Sequence, residues 1–456
     1  MTPAYVVCVD TGSTFTKAAA VAVDGPDAGR LLATSSVPTT VGPGLDVLTG
    51  LDEAVRLVAS EAGGAPSDVR ACSSAGGGLR LAVVGYERAV TAEAGARVGL
   101  SAGAKVVHVS SGPRDRDGLS ALAGARPDVV LLVGGTDGGD ADVLRHNASR
   151  LAASGPRVPY VVAGNADARD EVVGAFRRRR RPVVASANVL PRIGVLDPLH
   201  ARAAIRDVFV RHVIGGKGLT RGPRFARLVK GATPDLVLSG VELLADSGLG
   251  DVLLVDVGGA TTDVYSALTP DAEEAALHRE VVEVMWRGRT VEGDLGMRWG
   301  APGVVDAALA ERLVAAGREH DTLIAAAQRR HADPSWLPET DADRATDALL
   351  ARLALTVALR RHARPVDTAD GRTPGRDLSA VRLVVASGGV FRHSAQEAVR
   401  AMLDPVVTDH AGGWRLPREP RLTVDERYVV AAAGLLAHDH RDAAVSLLRG
   451  ALRPVA

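Results

Sequence analysis

The chain carries one short pattern twice, near its start and again beyond its middle. VVCVDTGSTFTKAAAV occupies residues 6–21, and VLLVDVGGATTDVYS occupies residues 252–266. In each stretch an apolar run ends in an aspartate, a glycine-containing turn follows, and a second strand-like run leads away. The pattern predicts a β-hairpin with a carboxylate at the end of its first strand. Its repetition predicts that two parts of the chain are built alike.

The length and hydrophobic content set the fold class. A chain of 456 residues with 46% hydrophobic residues can form two or three domains with sizeable cores. Runs of Val, Ile and Leu alternate with Ala- and Arg-rich helical segments throughout, which predicts an α/β protein. Residues 126–190 read as a compact α/β unit inserted into a larger domain. The Gly- and Arg-rich stretch 215–224 is predicted to be a linker.

Charge and cysteine content exclude several classes of function. The 54 basic and 54 acidic residues balance, so nucleic acid and membrane are not expected as main partners. Cys8 and Cys72 form no CxxC pair, so neither a disulfide framework nor a thiolate metal site is expected. No signal-peptide pattern and no run of about 18 apolar residues is present, which predicts a cytoplasmic protein. A small molecule or another protein is the expected partner.

The first hairpin has the chemistry of a phosphate site. Gly12 has no Cβ and lets the chain turn tightly after Asp10, so that backbone N–H groups can face an anion. Ser13 and Thr14 add hydroxyl donors, and Lys17 adds a positive charge. These features suit a phosphate chain.

The second hairpin repeats this design. Asp256 precedes the turn, Gly258 and Gly259 form it, and Thr261 and Thr262 supply hydroxyls. Two such hairpins facing each other would hold one polyphosphate from both sides. An ordinary hairpin with Asp and Gly in its turn would explain either motif alone, but the repetition favours the nucleotide interpretation. No GxxxxGK[ST] stretch is present, so a P-loop site is excluded.

The two aspartates also suggest a metal ion. Asp10 and Asp256 would repel a polyphosphate unless a cation lay between them and the phosphates. Mg²⁺ takes few protein ligands and keeps several waters, so we expect both carboxylates to hold it through water. The histidines form no HExxH or comparable set, and no transition metal is expected.

The hairpins resemble the phosphate motifs of the actin, sugar-kinase and heat-shock-chaperone superfamily of ATPases, in which two like-folded halves close over ATP. Ala92–Gly99 and the strand Lys105–Val109 look like its first connecting segment, and Asp425–Gly434 looks like its second connecting helix. The adenosine motif of that superfamily is similar to a stretch following the strand Val381–Ala386, formed by Ser387, Gly388 and Gly389. Thr11 completes the nucleotide-contacting residues that the resemblance implies.

This resemblance implies an actin-like (ribonuclease H-like) two-lobed α/β fold with an inserted α/β region. The first lobe is expected at residues 1–125, with the first phosphate motif and the first connecting segment. The inserted region and a helical linker are expected at 126–235. The second lobe, with the remaining motifs, is expected at 236–456.

Longer stretches resemble the MutL-type accessory proteins of adenosylcobalamin-dependent glutamate (methylaspartate) mutase, which are unrelated to the mismatch-repair protein of the same name. This resemblance implies an ATP-driven reactivating factor that exchanges damaged cobalamin out of its partner, the mutase. No DxHxxG pattern is present, so no cobalamin site is expected in this chain. The stretches are SSAGGGLRLAVVG (73–85), LLVGGTDGG (131–139), HNASRLAASG (146–155), LGDVLLVDVGGATTDVYS (249–266), EGDLGMRWGAPGV (292–304) and SGGVFRH (387–393).

One departure from the superfamily affects the expected rate. Where chaperones and actin have a Glu or Gln that orients the attacking water, residues 109–113 read VSSGP. Slow Mg-dependent hydrolysis is therefore expected, with Asp137 and Asp263 as unranked substitutes. Two other functions stay open on the same fold, a small-molecule kinase and a filament-forming actin-like protein.

Overall fold

The computed structural model describes residues 3–42, 44–75, 78–87, 91–220, 222–269, 286–368, 371–373 and 375–455. The strands are β1 (Tyr5–Thr11), β2 (Phe15–Ala22), β3 (Leu31–Pro38), β4 (Asp68–Ser73), β5 (Leu79–Val84), β6 (Ala104–Ser110), β7 (Val129–Leu132), β8 (Tyr160–Val162), β9 (Val183–Ala185), β10 (Val229–Ala232), β11 (Asp251–Val257), β12 (Thr262–Ala267), β13 (Arg287–Glu292), β14 (Val366–Thr368), β15 (Gly371–Thr373), β16 (Val381–Ser387), β17 (Arg421–Val424) and β18 (Arg453–Pro454).

Helices connect and cover these strands. They are α1 (Val47–Ala62), α2 (Glu93–Ser101), α3 (Arg116–Gly124), α4 (Asp142–Ser154), α5 (Arg169–Arg178), α6 (Leu199–Val208), α7 (Arg224–Leu228), α8 (Thr233–Leu244), α9 (Ala301–Ala310), α10 (Arg318–Ala332), α11 (Asp341–Ala363), α12 (Gly389–Arg392), α13 (Gln396–Leu403), α14 (Pro405–Thr408), α15 (Val429–Leu436) and α16 (Arg441–Ala451). Among the described helices, none combines the length and apolar composition needed to cross a lipid bilayer.

Two of the sheets share one topology. The first has the order β10-β4-β1-β2-β3 and the second has the order β13-β12-β11-β16-β17-β18. In each, a central strand pairs antiparallel with the next strand of its hairpin and parallel with a later strand. The two hairpins predicted from the sequence are β1–β2 and β11–β12. The predicted α/β fold with two like-built, actin-like halves is therefore confirmed.

The strands of a third sheet come, in chain order, between β4 and β10, the fourth and fifth strands of the first sheet. This third sheet has the order β6-β5-β7-β8-β9, and all of its strands run parallel. The sequence division at 125/126 falls inside this sheet, because β6 precedes it and β7 follows it. The inserted sheet spans Leu79 to Ala185, and β10, which the sequence assigned to the inserted region, belongs to the first sheet.

The two like-built halves meet through a crossing of helices α8 and α15. Both helices contribute to an apolar core that also contains buried residues of β1, β11 and β16. Glycine allows the close approach. A Cβ on Gly240 would lie 2.4 Å from the Val430 carbonyl oxygen, and one on Gly434 would lie 1.9 Å from the Leu236 carbonyl oxygen. The small residues of Asp425–Gly434 thus let the halves approach, as expected for a connecting helix.

The sequence placed the first connecting segment elsewhere. Ala92–Gly99 and Lys105–Val109 fall in α2 and β6, which belong to the inserted sheet and its covering helix. The helix that crosses α15 is α8, which follows β10 directly. The difference arises because the insertion separates β4 from β10, so the fifth strand and its helix come late in the chain.

The inserted unit is joined to α8 by a buried ionic cluster. Asp235 on α8 is fully buried and accepts hydrogen bonds from Arg202 Nε at 2.8 Å and from Arg206 Nη2 at 2.9 Å. Arg202 also donates to Glu242 at 2.6 Å. Both arginines lie on α6, which packs against β8 and β9. A buried carboxylate with paired guanidinium groups fixes α6 against α8.

Candidate functional site

The site begins where β1 ends. Asp10 is half-buried, and its Oδ1 accepts a hydrogen bond of 2.6 Å from the Thr233 hydroxyl. The Cys72 thiol, opposite Asp10 on β4, lies 3.6 Å from the same oxygen. Thr233 is the first residue of α8. The carboxylate of the first hairpin is therefore oriented by the helix that connects the two halves.

Lys17 brings the two hairpins together. Its backbone pairs with that of Asp10 across the first hairpin. Burial by itself would lower the pKa of the Lys17 ammonium, but the carboxylates of Asp10, Asp256 and Asp425 raise that pKa above its ordinary value. Acidic groups from both halves thus act on a single ammonium. This convergence is the central feature of the site.

Asp256 occupies the position in the second hairpin that Asp10 occupies in the first. Burial raises the pKa of the Asp256 carboxyl, Lys17 lowers it, and the nearby charges of Asp263 and Asp10 raise it further. Ser387 lies opposite Asp256 on β16, and a hydrogen bond from its side chain stabilises the charged form. Two carboxylates compete here for one cation, so the site would accept another positive charge.

Asp425 is a third acid at this site that the sequence did not identify as functional. It caps α15 by accepting hydrogen bonds from the backbone N–H groups of Val429 at 2.8 Å and Val430 at 3.1 Å. Burial raises the pKa of Asp425 to about 6, against the lowering effect of these hydrogen bonds and of Lys17. A sequence signal existed, since an aspartate before an apolar run is typical of a helix N-terminus.

The turns of the two hairpins have matching backbone geometry. The Gly12 N–H donates to the Phe15 carbonyl at 3.1 Å, and the Gly258 N–H donates to the Thr261 carbonyl at 2.9 Å. These two N–H groups are therefore occupied within their own turns. Ser13, Thr14 and Gly259 are exposed at the tips of the hairpins. These exposed residues are the groups of the turns that are free to meet a ligand.

The threonines beside the turns differ in their environment. The Thr11 hydroxyl is buried and has no hydrogen-bond partner among the described residues. Thr261 donates to Asp263 at 3.1 Å, and Thr262 donates to the Leu295 carbonyl at 2.6 Å. The hydroxyls of Thr261 and Thr262 therefore support the second hairpin internally.

The two acids considered for activating water have other partners. Asp263 accepts hydrogen bonds from Arg289 at 2.9 Å and 2.6 Å, so its charge is paired in a buried ion pair. Asp137 belongs to the inserted sheet, where it accepts from Ala166 N–H at 2.8 Å and from Asn188 at 2.9 Å. A carboxylate held in either way is poorly suited to act as a general base.

The stretch predicted to border adenosine lies beside the second hairpin. Ser387 ends β16, and Gly388 adopts a positive φ of 118°. A Cβ on Gly388 would lie 2.3 Å from the Val257 carbonyl oxygen, so only glycine lets these two segments approach so closely. Gly389 then begins α12.

The segment EGDLGMRWGAPGV supports the second turn. Met297 N–H donates to the Gly258 carbonyl at 2.9 Å, and Arg298 N–H donates to the Gly259 carbonyl at 2.7 Å. Trp299 follows and is 59% exposed. The turn is thus tied by backbone hydrogen bonds to the loop that leads into α9.

The residues present fit a nucleotide with a magnesium ion. Asp10 and Asp256 are half-buried oxygen donors, and the unpaired Thr11 hydroxyl lies beside the first of them. In the part of the chain that is described, no group of three or more His, Cys, Asp or Glu side chains could hold a metal directly. Two carboxylates that bind through water match the coordination of Mg²⁺, which usually keeps several water ligands.

Two like-built α/β halves, each with an aspartate-tipped hairpin and with both aspartates acting on one lysine, are typical of the actin-like fold. Comparison with known proteins narrows this class. A family model described as MutL protein matches residues 6–452. "Protein MutL" of Clostridium tetanomorphum is 32% identical, and the alignment covers 97% of each chain. The chain therefore belongs to the MutL protein family.

The solved structures that resemble the chain are more distant. A nucleotide-free diol dehydratase-reactivating factor is 12% identical, with a TM-score of 0.38, over 96% of this chain and 100% of that one. A nucleotide-free acetone carboxylase is 15% identical, with a TM-score of 0.40, over 95% of this chain and 70% of that one.

Proposed function

We propose that this protein binds Mg-ATP between its two hairpins and hydrolyses it slowly. The resulting change in the arrangement of its two halves would reactivate a cobalamin-dependent glutamate (methylaspartate) mutase. One observation carries the proposal. Asp10 and Asp256 belong to different halves of the molecule, and both act on the ammonium of Lys17. A ligand that engages both carboxylates must also bridge the two halves.

The roles of the residues follow from their positions. Asp10 and Asp256 would hold Mg²⁺ through water, and the ion would neutralise phosphate charge when bound. Lys17 would leave its carboxylate neighbours for the phosphates. The remaining phosphate contacts are assigned to the exposed tips at Ser13, Thr14 and Gly259 and to the unpaired Thr11 hydroxyl. Gly12, Gly258, Thr261 and Thr262, whose donors are occupied, would shape the two turns. The adenosine side is assigned to Ser387, Gly388 and Gly389.

Thr233 is added to this set as a positioning residue. Its hydroxyl donates to Asp10, so it fixes the carboxylate without needing to touch the nucleotide. Asp425 uses both carboxylate oxygens to cap α15, so no free base is assigned to the attacking water, and slow turnover is expected. A slow cycle suits a protein whose nucleotide state controls a partner.

Closure of the cleft would connect the nucleotide to the partner. The halves touch along α8 and α15, where Gly240 and Gly434 leave the helices in backbone contact. A nucleotide bound by both hairpins favours the closed arrangement, and hydrolysis removes that preference. Membership of the MutL family supports a mutase as the partner whose affinity changes.

The test is a reactivation assay. The candidate mutase is inactivated by turnover and then incubated with this protein and ATP, ADP or no nucleotide. Recovered activity and released cobalamin are measured. We expect recovery to require ATP, to be lost in Asp10→Asn, and to persist in Asp117→Asn, a control at an exposed position on α3. Equal recovery without nucleotide would refute the proposal.

A further inference from the structure

Tyr428 has an unusual backbone conformation at the edge of the proposed site. Its φ of 54° and ψ of 40° are left-handed, directly before α15. Bulky side chains rarely adopt this region, and such residues persist where the surrounding structure holds them, often at functional sites. The half-buried Tyr428 ring lines one small pocket together with Asp10 and Lys17.

Two cations from different halves contact this ring. Lys17 Nζ lies 3.5 Å from the ring centre, and Arg392 Cζ lies 5.1 Å from it. Lys17 belongs to the first hairpin, whereas Arg392 ends α12 just after the adenosine stretch. One ring therefore links a cation of the first hairpin to a cation that follows the adenosine stretch.

Arg392 differs from Lys17 in its partners. Lys17 has three acidic neighbours, but the Arg392 guanidinium has no hydrogen bond or ion pair with any residue in the described ranges. Among the described residues, the Tyr428 ring is the group that faces its charge. A guanidinium binds phosphate oxygens through paired hydrogen bonds, which are stronger than its attraction to an aromatic ring. Arg392 can therefore transfer to an anion without breaking a salt bridge.

We propose that Arg392 is a second phosphate-binding cation of the nucleotide site, and that Tyr428 is the positioning residue that keeps Arg392 and Lys17 beside the cleft. The inference rests on the proposed function. It adds to that function a contact between the second half and the phosphate chain of the nucleotide. The ring holds each cation until phosphate oxygens replace it.

The experiment measures the binding of ATP, ADP and AMP by calorimetry. Arg392→Gln should weaken ATP binding by about tenfold or more, with a smaller loss for ADP and little for AMP. Arg392→Lys should recover part of the loss, because it restores the charge. The control is Arg400→Gln, an exposed arginine on α13, which should leave all three affinities unchanged.

The ring is tested with two substitutions of similar size. Tyr428→Phe should bind ATP like the wild type, since it keeps the aromatic face. Tyr428→Leu should bind ATP about three- to tenfold more weakly, because it cannot attract a cation. Thermal unfolding of each variant shows whether it is folded. If Tyr428→Leu does not fold, the Arg392 series still decides the role of the arginine.

The outcomes separate the two proposals. If the wild type binds ATP but Arg392→Gln loses equal affinity for ATP, ADP and AMP, Arg392 contacts the nucleoside, and the inference is wrong. Unchanged ATP affinity in Arg392→Gln overturns it as well. If the wild type binds none of the three nucleotides, the proposed function itself fails, and the inference fails with it.

Discussion

Replacement of Gly434 by alanine would test the contact that joins the two halves. The new Cβ would lie 1.9 Å from the Leu236 carbonyl oxygen and 2.7 Å from its carbon, whereas ordinary contacts begin at 3.4 Å. Helices α8 and α15 would have to separate by about 1.5 Å at this point. The obstructing atoms are backbone, so no side chain can rotate away.

The expected cost follows from two opposing terms. Overpacking a well-packed core costs about 1–3 kcal/mol, and backbone contacts place this site at the upper end of that range or above it. Alanine in a helix gains about 1 kcal/mol over glycine. We therefore expect a net loss of about 2 kcal/mol or more. In a protein of this size the loss is read as a lower midpoint of thermal unfolding rather than as a single free energy.

Gly174→Ala is the matched control. Gly174 also lies in a helix, α5, but its Cβ would meet only the flexible end of Arg178, at 3.3 Å. This variant should keep or slightly raise the unfolding midpoint. The packing argument is refuted if Gly434→Ala is as stable as the wild type or more stable.

Four further predictions concern the site. Asp10→Asn should lower ATP hydrolysis by about 100-fold or more with an unchanged far-ultraviolet spectrum, whereas wild-type turnover would remove the metal role of Asp10. Thr233→Val should raise the Mg²⁺ concentration needed for nucleotide binding and Thr233→Ser should not, so equal behaviour of the two would rule out a role for the hydroxyl. Because folding raises the pKa of Asp425 to about 6 from 3.8, the native state binds an extra proton in this window, and stability should fall as pH rises from about 4 to 6. The unfolding midpoint of Asp425→Asn should fall less over that window, and an identical profile would contradict the pKa. Tryptophan fluorescence should change on ATP binding, and Trp299→Phe should remove most of that change, because Trp299 adjoins the loop bonded to Gly259; an undiminished signal would show that this loop does not move.

The hairpins could be predicted because their information is local. An apolar run, an aspartate and a glycine turn lie within about 16 consecutive residues, and each half repeats them. The close helix crossing was also accessible in part, since the small residues of Asp425–Gly434 indicated a helix that another element approaches closely.

The first connecting helix could not be located in the same way. Strand β10 has only four residues, and the whole inserted sheet separates it in sequence from its partner β4. The sequence of β10 gives no indication that β4 is its partner. Ala92–Gly99, in contrast, resembles a connecting helix and lies at the place in the chain where the first connecting segment is expected. Short strands with distant partners are decided by tertiary pairing rather than by local propensity.

The residues missed at the site share this origin. Thr233 and Tyr428 matter because of Asp10, Lys17 and Arg392, all of which are distant in sequence. A threonine before a proline and a tyrosine before an apolar helix carry no functional signal alone. The left-handed conformation of Tyr428 became visible only in three dimensions.

The ionic cluster between α6 and α8 couples the inserted sheet to the helix that joins the two halves. Asp235 is fully buried between Arg202 and Arg206, so α8 cannot turn without either carrying α6 along or exposing an unpaired charge, at a cost of about 3–5 kcal/mol. Rotation of α6 and α8 together as one rigid unit therefore costs less free energy. A small rotation of α8 against α15 would then displace the far edge of the inserted sheet by a larger distance.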